Sequence, residues 1–206
     1  RSTEVGLTVG RLEDKYFQSR IIDFDKDRFD RSRYILFGGN ISFTGNTFTT
    51  KQFPIDGYKE ALIAQVYTGR EKYKPYNKTE DENARNNYSW IQISYLRENY
   101  HAMGKKFILG WMMEGLYSSK NFSHNYAATM MQAGSFSPTP HSKIMYNEHF
   151  RANQYIAGGI KPIIQLNKLF HIRTELYGFL PIFPIKQSSD QKAYYGDAFS
   201  KLEYMG

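Results

Sequence analysis

With 206 residues, 41% of them hydrophobic and 17% aromatic, the chain has enough apolar matter for one folded domain and too many rings for a disordered segment. Cysteine is absent, which excludes disulfides, thiolate metal ligands and a Cys nucleophile. The net charge is +7, but the cations Lys72, Lys74, Lys78 and Arg85 read as loop residues. They are offset by Asp23, Asp25, Asp27, Asp30, Glu80, Asp81 and Glu82, so the charge pattern argues against a phosphate-tracking stripe and against nucleic acid as a partner.

Nine or ten segments alternate apolar and polar side chains with the two-residue period of a strand. In chain order, residues 2–12 set Val5, Leu7 and Val9 on one face, and residues 16–22 read as the partner strand. The charged stretch 23–33 reads as a turn or edge loop. Residues 34–43 place Ile35, Phe37, Ile41 and Phe43 opposite Gly38, Asn40 and Ser42. After the polar stretch 44–52, Phe53-Pro54-Ile55-Asp56-Gly57 forms a turn, a strand covers 58–68, and a long polar loop covers 69–87. Strands follow at 88–97 and 106–117, joined through His101-Ala102-Met103-Gly104. The second sets Phe107, Leu109, Trp111, Met113 and Tyr117 against Lys106, Gly110 and Glu114.

Residues 126–133 precede a Ser/Pro-rich stretch at 135–143, and no segment shows dependable helical amphipathicity. The strand at 150–166 opposes Ala152, Ile156, Ile160, Ile164 and Leu166 to Arg151, Asn153, Tyr155, Lys161 and Gln165. It turns at Asn167-Lys168 into a strand at 171–180, where Ile172, Leu176 and Leu180 oppose His171, Arg173, Glu175 and Tyr177. A further alternating segment begins at 199–205.

Mean hydropathy is −0.60, and no run approaches the roughly 18 to 20 apolar residues of a membrane helix. Strands with one face toward lipid and one toward a wet lumen have this low mean hydropathy, and Tyr and Phe supply the aromatic girdles of such walls. The fold class expected is therefore all-β, an antiparallel transmembrane β-barrel spanning 1–206 as one domain. Lipid-facing residues are Ile35, Phe37, Leu109, Trp111, Ile156, Ile160, Ile172 and Leu176. Arg151, Lys161, Arg173 and Glu175 form a polar cluster on the lumen face, where buried charges must pair or stay wet. A hairpin about residues 167–168 sets Arg173 beside Ile163 and Glu175 opposite Lys161 as an ion pair. Gly38-Gly39 and Gly158-Gly159 read as close packing at the wall rather than as nucleotide loops.

No nucleophile elbow, His-Glu-x-x-His or phosphate-binding Gly-rich loop occurs, and His101, His124, His141, His149 and His171 are isolated in sequence. The expectation is no catalytic residue, no cofactor and no metal. An outer-membrane channel with an Arg/Lys/Glu-lined lumen and a soluble glycan-binding β-sandwich are the competing readings of the same alternation.

The segment TTKQFPIDGYKEALIAQVYTGREKYKP, residues 49–75, resembles the strand–turn–strand pattern of the BamA-type outer-membrane (bacterial surface antigen) superfamily. Together with NFSHNYAATMMQAGSFSPTPHSK, HFRANQYIAGGIKPIIQLNKLFHIRTELYGFLPI and the opening strands, it resembles the barrel region of Bacteroidetes patatin-like phospholipases. The resemblance implies an outer-membrane location, lipid as a partner, and a lipase domain and periplasmic module upstream in the same polypeptide. The barrel is then a partial one, about ten of sixteen strands, that anchors or helps export the partner domain. It also implies a lumenal loop with an Arg-Gly-aromatic tip; Phe150-Arg151-Ala152-Asn153-Gln154-Tyr155 stands nearest to it, with Ala152 where the Gly belongs.

Overall fold

The computed structural model describes residues 1–16, 29–50, 53–75, 84–167 and 170–206. Long alternating segments become long strands: β1 (Ser2–Tyr16), β2 (Asp30–Asn46), β3 (Gly57–Lys74), β4 (Ala84–Ala102) and β5 (Phe107–Ser118). After helix α1 (Tyr126–Gln132), β6 (Gly134–Ser135), helix α2 (Pro140–Ile144) and a 3₁₀ turn at Glu148–Phe150, the chain continues through β7 (Arg151–Ala152) and β8 (Gln154–Gln165). It ends with β9 (His171–Arg173), β10 (Leu176–Pro181), β11 (Ile185–Gln187), β12 (Ala193–Tyr195) and β13 (Glu203–Met205).

The fold is mostly antiparallel sheet. One nine-stranded sheet runs β1-β2-β3-β4-β5-β8-β10-β13, with β9 also paired to β8. Among the described residues no ladder joins β13 to β1 and no closed barrel is formed; what is observed is an antiparallel sheet, where the expectation was a partial barrel.

Several boundaries differ from the sequence reading. The partner of β1 is β2, which already begins at Asp30, so the expected loop ends there; the partner strand placed at 16–22 lies mostly outside the described residues. Within the polar loop expected at 69–87, residues 69–74 and 84–87 are strand, with β3 and β4 paired out to Tyr73 and Ala84, and residues 76–83 lie outside the described residues. Alternation persists there, but with cations in place of aliphatics on one face, which makes a strand read like a loop. Residues 126–132 form a helix because Asn125 caps it, its side chain accepting from the Ala128 N–H, and Ala127, Ala128, Met130 and Met131 are good helix formers. The segment 150–166 is not one strand. Ala152 is fully buried in β7, paired with Gly134 of β6, and does not share the outward face of Ile156 and Ile160.

The segment expected at 171–180 divides into β9 and β10 around Thr174 and Glu175, yet both pieces keep one register against β8. Arg173 faces Ile163 as expected from the hairpin, and Leu176 faces Ile160. Lys168, half of the expected turn, lies outside the described residues.

The sheet has two unlike faces. The inner one is covered by residues 119–153, whose Phe136, Phe150 and Ala152 pack with Met112, Leu116, Tyr155, Ala157, Tyr177 and Phe179. At the other end of the strands the β2–β3 connection folds in as well, placing Phe48 and Ile55 against Tyr100, Ile108 and Ile163. That connection closes at Gly57, whose φ of +94° suits glycine and whose Cβ position would collide with the Thr47 carbonyl. Inner-face glycines make room for rings on the neighbouring strand: Tyr67 lies over Gly38 and Tyr177 over Gly159.

Candidate functional site

The outer face carries the apolar residues. Cross-strand partners fall in register, Val9–Phe37–Thr68 and Val5–Ile41–Ala64–Ile93–Tyr117, so the aliphatic stripes of separate strands merge into one band. The band continues through Trp111–Ile160–Leu176. Val5, Leu7 and Val9 are 78%, 81% and 78% exposed, and Ile35, Phe37, Ile156, Ile160, Ile172 and Leu176 are each more than half or about half exposed. Leu109 and Trp111 belong to the same face but are partly shielded. On β2 the band runs from Ile35 to Phe43, about the nine to eleven residues that a tilted strand needs to cross a hydrocarbon core.

Charge bounds the band at both ends. Toward the short turns, Glu60 meets Arg97 at 3.7 Å and accepts from the Tyr95 hydroxyl at 2.8 Å, with Arg97 over the Tyr58 ring. Toward the long connections, Arg33 and Arg31 both pair with Glu13, at 2.8 and 3.1 Å.

The inner wall holds three of the four charged residues expected to cluster. Lys161 donates to Glu98 at 2.6 Å, deep enough that their side chains are 6% and 16% exposed, and Tyr100 donates to the same carboxylate at 2.7 Å. The Lys161 ammonium also lies over the Tyr177 ring, whose hydroxyl donates to Glu175 at 2.6 Å. Glu175 falls between β9 and β10, outside the paired residues of either, and the ion pair of Lys161 is with Glu98 on β4. The expected Lys161–Glu175 pair is replaced because β4 brings a carboxylate across the inner face that pairwise hairpin reasoning did not include.

Arg173 donates to the Pro54 carbonyl and stacks on Tyr100 and Phe53, fastening the β2–β3 connection to the wall. Arg151 stands apart. In β7 it donates to the carbonyls of Met130, Met131 and Ala133, closing the C-terminal end of α1.

A second inner cluster was not anticipated. Glu71, fully buried, accepts from the hydroxyls of Tyr34 (3.0 Å), Ser32 (3.0 Å) and Tyr88 (2.5 Å). Beside it Tyr73 donates to Asp30 at 2.6 Å, and Tyr16 lies 3.0 Å from the Ser32 hydroxyl. Lys120, just beyond β5, lies over Trp90 and Tyr34 and donates to Gln132, which donates on to Asp14. Burial lowers the Lys120 pKa to about 8, with Glu71 and Asp14 opposing the shift.

In both networks the carboxylates accept from hydroxyl or ammonium donors at hydrogen-bond distance. A cavity of about 430 Å³ lies elsewhere, between α1, β7 and β11, lined by Tyr126, Glu148, His149, Arg151, Lys186 and Lys201 among others. Among the described residues no group of three or more His, Asp or Glu side chains is arranged to hold a metal ion. No protein-family model, curated protein or solved structure matches the chain.

Proposed function

We propose that this chain is a section of a transmembrane β-barrel wall in the bacterial outer membrane, of the patatin-like phospholipase and BamA-like type, that anchors or helps export a partner domain. The observation that carries the reading is the uncovered outer band, apolar over a bilayer's depth and bounded by charge on both sides, set against an inner face rich in paired polar groups. A soluble glycan-binding sandwich would bury its aliphatic face and leave its polar one wet, the reverse of this distribution. An open channel is disfavoured because residues 119–153 and the β2–β3 connection occupy the inner face. The kinship with patatin-type barrels rests on the sequence segments alone.

In a bilayer the open edge of β1 leaves a row of unpaired N–H and C=O groups, so the wall is complete only with further strands beside it. The test is reconstitution of the purified chain with phosphatidylcholine vesicles. Retention in the membrane after alkaline carbonate, with strand structure by circular dichroism and heat-modifiable migration, is the expected result; quantitative release into the supernatant would overturn it. The same preparation is expected to show no lipase turnover, since the sequence contains no nucleophile elbow, and turnover that survives a contaminant control would refute that part.

A further inference from the structure

The cations that read as scattered loop residues are drawn together by the register of the sheet. On the outer face, the row just past Val9–Phe37–Thr68 is Arg11–Ile35–Arg70–Asn87, the next is Glu13–Arg33–Lys72–Arg85, and the last is Lys15–Arg31–Lys74. Among the described residues these rows hold eight cations and one carboxylate, Glu13, which pairs with Arg31 and Arg33. Arg33, Lys72 and Arg85 are consecutive cross-strand neighbours, an arrangement of like charges that destabilises a sheet unless an anion lies across it. Lys15 and Arg31 flank the Phe29 ring, at 5.2 and 5.6 Å, which pins both ammonium and guanidinium at the edge of the patch. Lys78 and the acidic runs at 23–27 and 80–82 lie outside the described residues.

We infer that this patch binds the phosphate-bearing headgroups of anionic lipids in the leaflet at the long-connection end. Two features select lipid over a soluble polyanion. The patch begins at the row that holds Ile35, the last apolar residue of the band on β2, the depth at which headgroup phosphates sit when the band is in hydrocarbon. Its cations stand on consecutive rows of a single sheet face, so one headgroup phosphate meets guanidinium and ammonium donors from three strands while its acyl chains lie along Val9, Phe37 and Val66. Arg33 and Arg70 are poised for this role, one held by Glu13 at 2.8 Å and the other by Asn87 at 3.2 Å, so less freedom is lost when a phosphate is gripped. The inference rests on the membrane-spanning reading above.

The experiment measures lipid selectivity in phosphatidylcholine vesicles carrying trace spin-labelled phosphatidylglycerol or trace spin-labelled phosphatidylcholine, from the motionally restricted fraction of each. Wild type is expected to enrich phosphatidylglycerol several-fold at low salt. The triple variant Arg33→Gln/Lys72→Gln/Arg85→Gln is expected to lose the preference while keeping its circular dichroism and heat-modifiable migration, and Lys105→Gln/Lys106→Gln at the opposite end is expected to keep it. On phosphatidylglycerol vesicles the triple variant should bind on the order of 100-fold more weakly, about a fivefold loss per cation. Insertion with equal selectivity in wild type and triple variant overturns the inference and leaves the spanning reading standing. Failure to insert overturns the spanning reading; co-sedimentation with phosphatidylglycerol vesicles that disappears in the triple variant then upholds the patch, and absence of co-sedimentation overturns it. Inorganic phosphate that displaces the lipid at equal concentration, or a duplex oligonucleotide bound more tightly than the vesicles, also overturns the assignment.

Discussion

Two inner-face carboxylates, the partly buried Glu98 and the fully buried Glu71, are accommodated in opposite ways. Glu98 near the short turns has a cation, Lys161, at 2.6 Å with one tyrosine in support. Glu71 near the long connections has a cage of three hydroxyls, from Tyr34, Ser32 and Tyr88. Charge pairing cancels most of the field but leaves a large penalty when one partner is lost. A hydroxyl cage keeps the charge and spreads its stabilisation over several donors from β2 and β4, so each donor matters less and the strands that supply them are held together. The comparison is broken most directly at Lys161. Lys161→Ala strands Glu98 in the wall and is expected to cost about 3–5 kcal/mol, whereas Lys161→Met combined with Glu98→Gln should recover most of that loss. Urea unfolding of the reconstituted protein reads both values, and a double variant no more stable than the single would show that the pair itself, not the orphaned charge, dominates.

A second contrast, between the inner face and the outer band, is sharpened by placing charge where the band is apolar. Leu109→Lys and Ile160→Lys are expected to cost about 2–4 kcal/mol each if their rows lie near the bilayer midplane, and clearly less in detergent without a bilayer. Wild-type stability of both variants in lipid would remove the band from the membrane.

Much of the sheet was legible because its alternation is strict. Ile35, Phe37, Ile156, Ile160, Ile172 and Leu176 share the exposed face as the two-residue period requires, and the Arg173–Ile163 register follows from one short turn. What the period does not carry is the partner across the inner face. Lys161 was visible as a charge on the polar face opposite an apolar stripe, but its partner Glu98 is 63 residues away and meets it through β5, a strand pairing that local pattern does not specify. Glu71 was hidden for a different reason. Its neighbours Arg70, Lys72 and Lys74 make the segment look solvated, and only the recurring tyrosines at Tyr34, Tyr73 and Tyr88 hinted that hydroxyls were gathered there. The helix at 126–132 was missed because a two-turn helix shows too little periodicity, although Asn125 before Tyr-Ala-Ala gave a capping signal.

The hydroxyl cage itself is tested by Glu71→Gln, which keeps the shape but replaces one acceptor oxygen with an amide that faces the donor Tyr88. The expected loss is about 1.5–3 kcal/mol, the range for hydrogen bonds to a charged group. Tyr88→Phe should cost less, since Tyr34 and Ser32 remain. If Glu71→Gln were neutral, the three hydroxyl donors would contribute no net stabilisation through the carboxylate and the contrast with Glu98 would vanish.

The smallest expected effect concerns Lys120, which sits over the cage without an ion-pair contact in it. Its folded pKa, about 8, is depressed from the ordinary 10.5 because burial penalises the ammonium more than Glu71 and Asp14 favour it. Between those two values the unfolded chain holds the proton and the folded protein has released it, so stability rises with pH across that window. Below about 8 the burial penalty is present in full, and above about 10.5 it is gone. From roughly pH 7 to pH 9 the gain is about 1 kcal/mol after allowance for the approximate shift. Tyrosines and other lysines titrate in the same range, so the contribution is read as the difference between wild type and Lys120→Met, whose uncharged side chain keeps the packing over Trp90 and Tyr34. The variant is expected to be the more stable protein near pH 7, with the gap narrowing as pH rises. A gap that widened with pH, or one independent of it, would mean that the ammonium is stabilised where it lies and that the cage draws on Lys120 as an ion-pair partner after all.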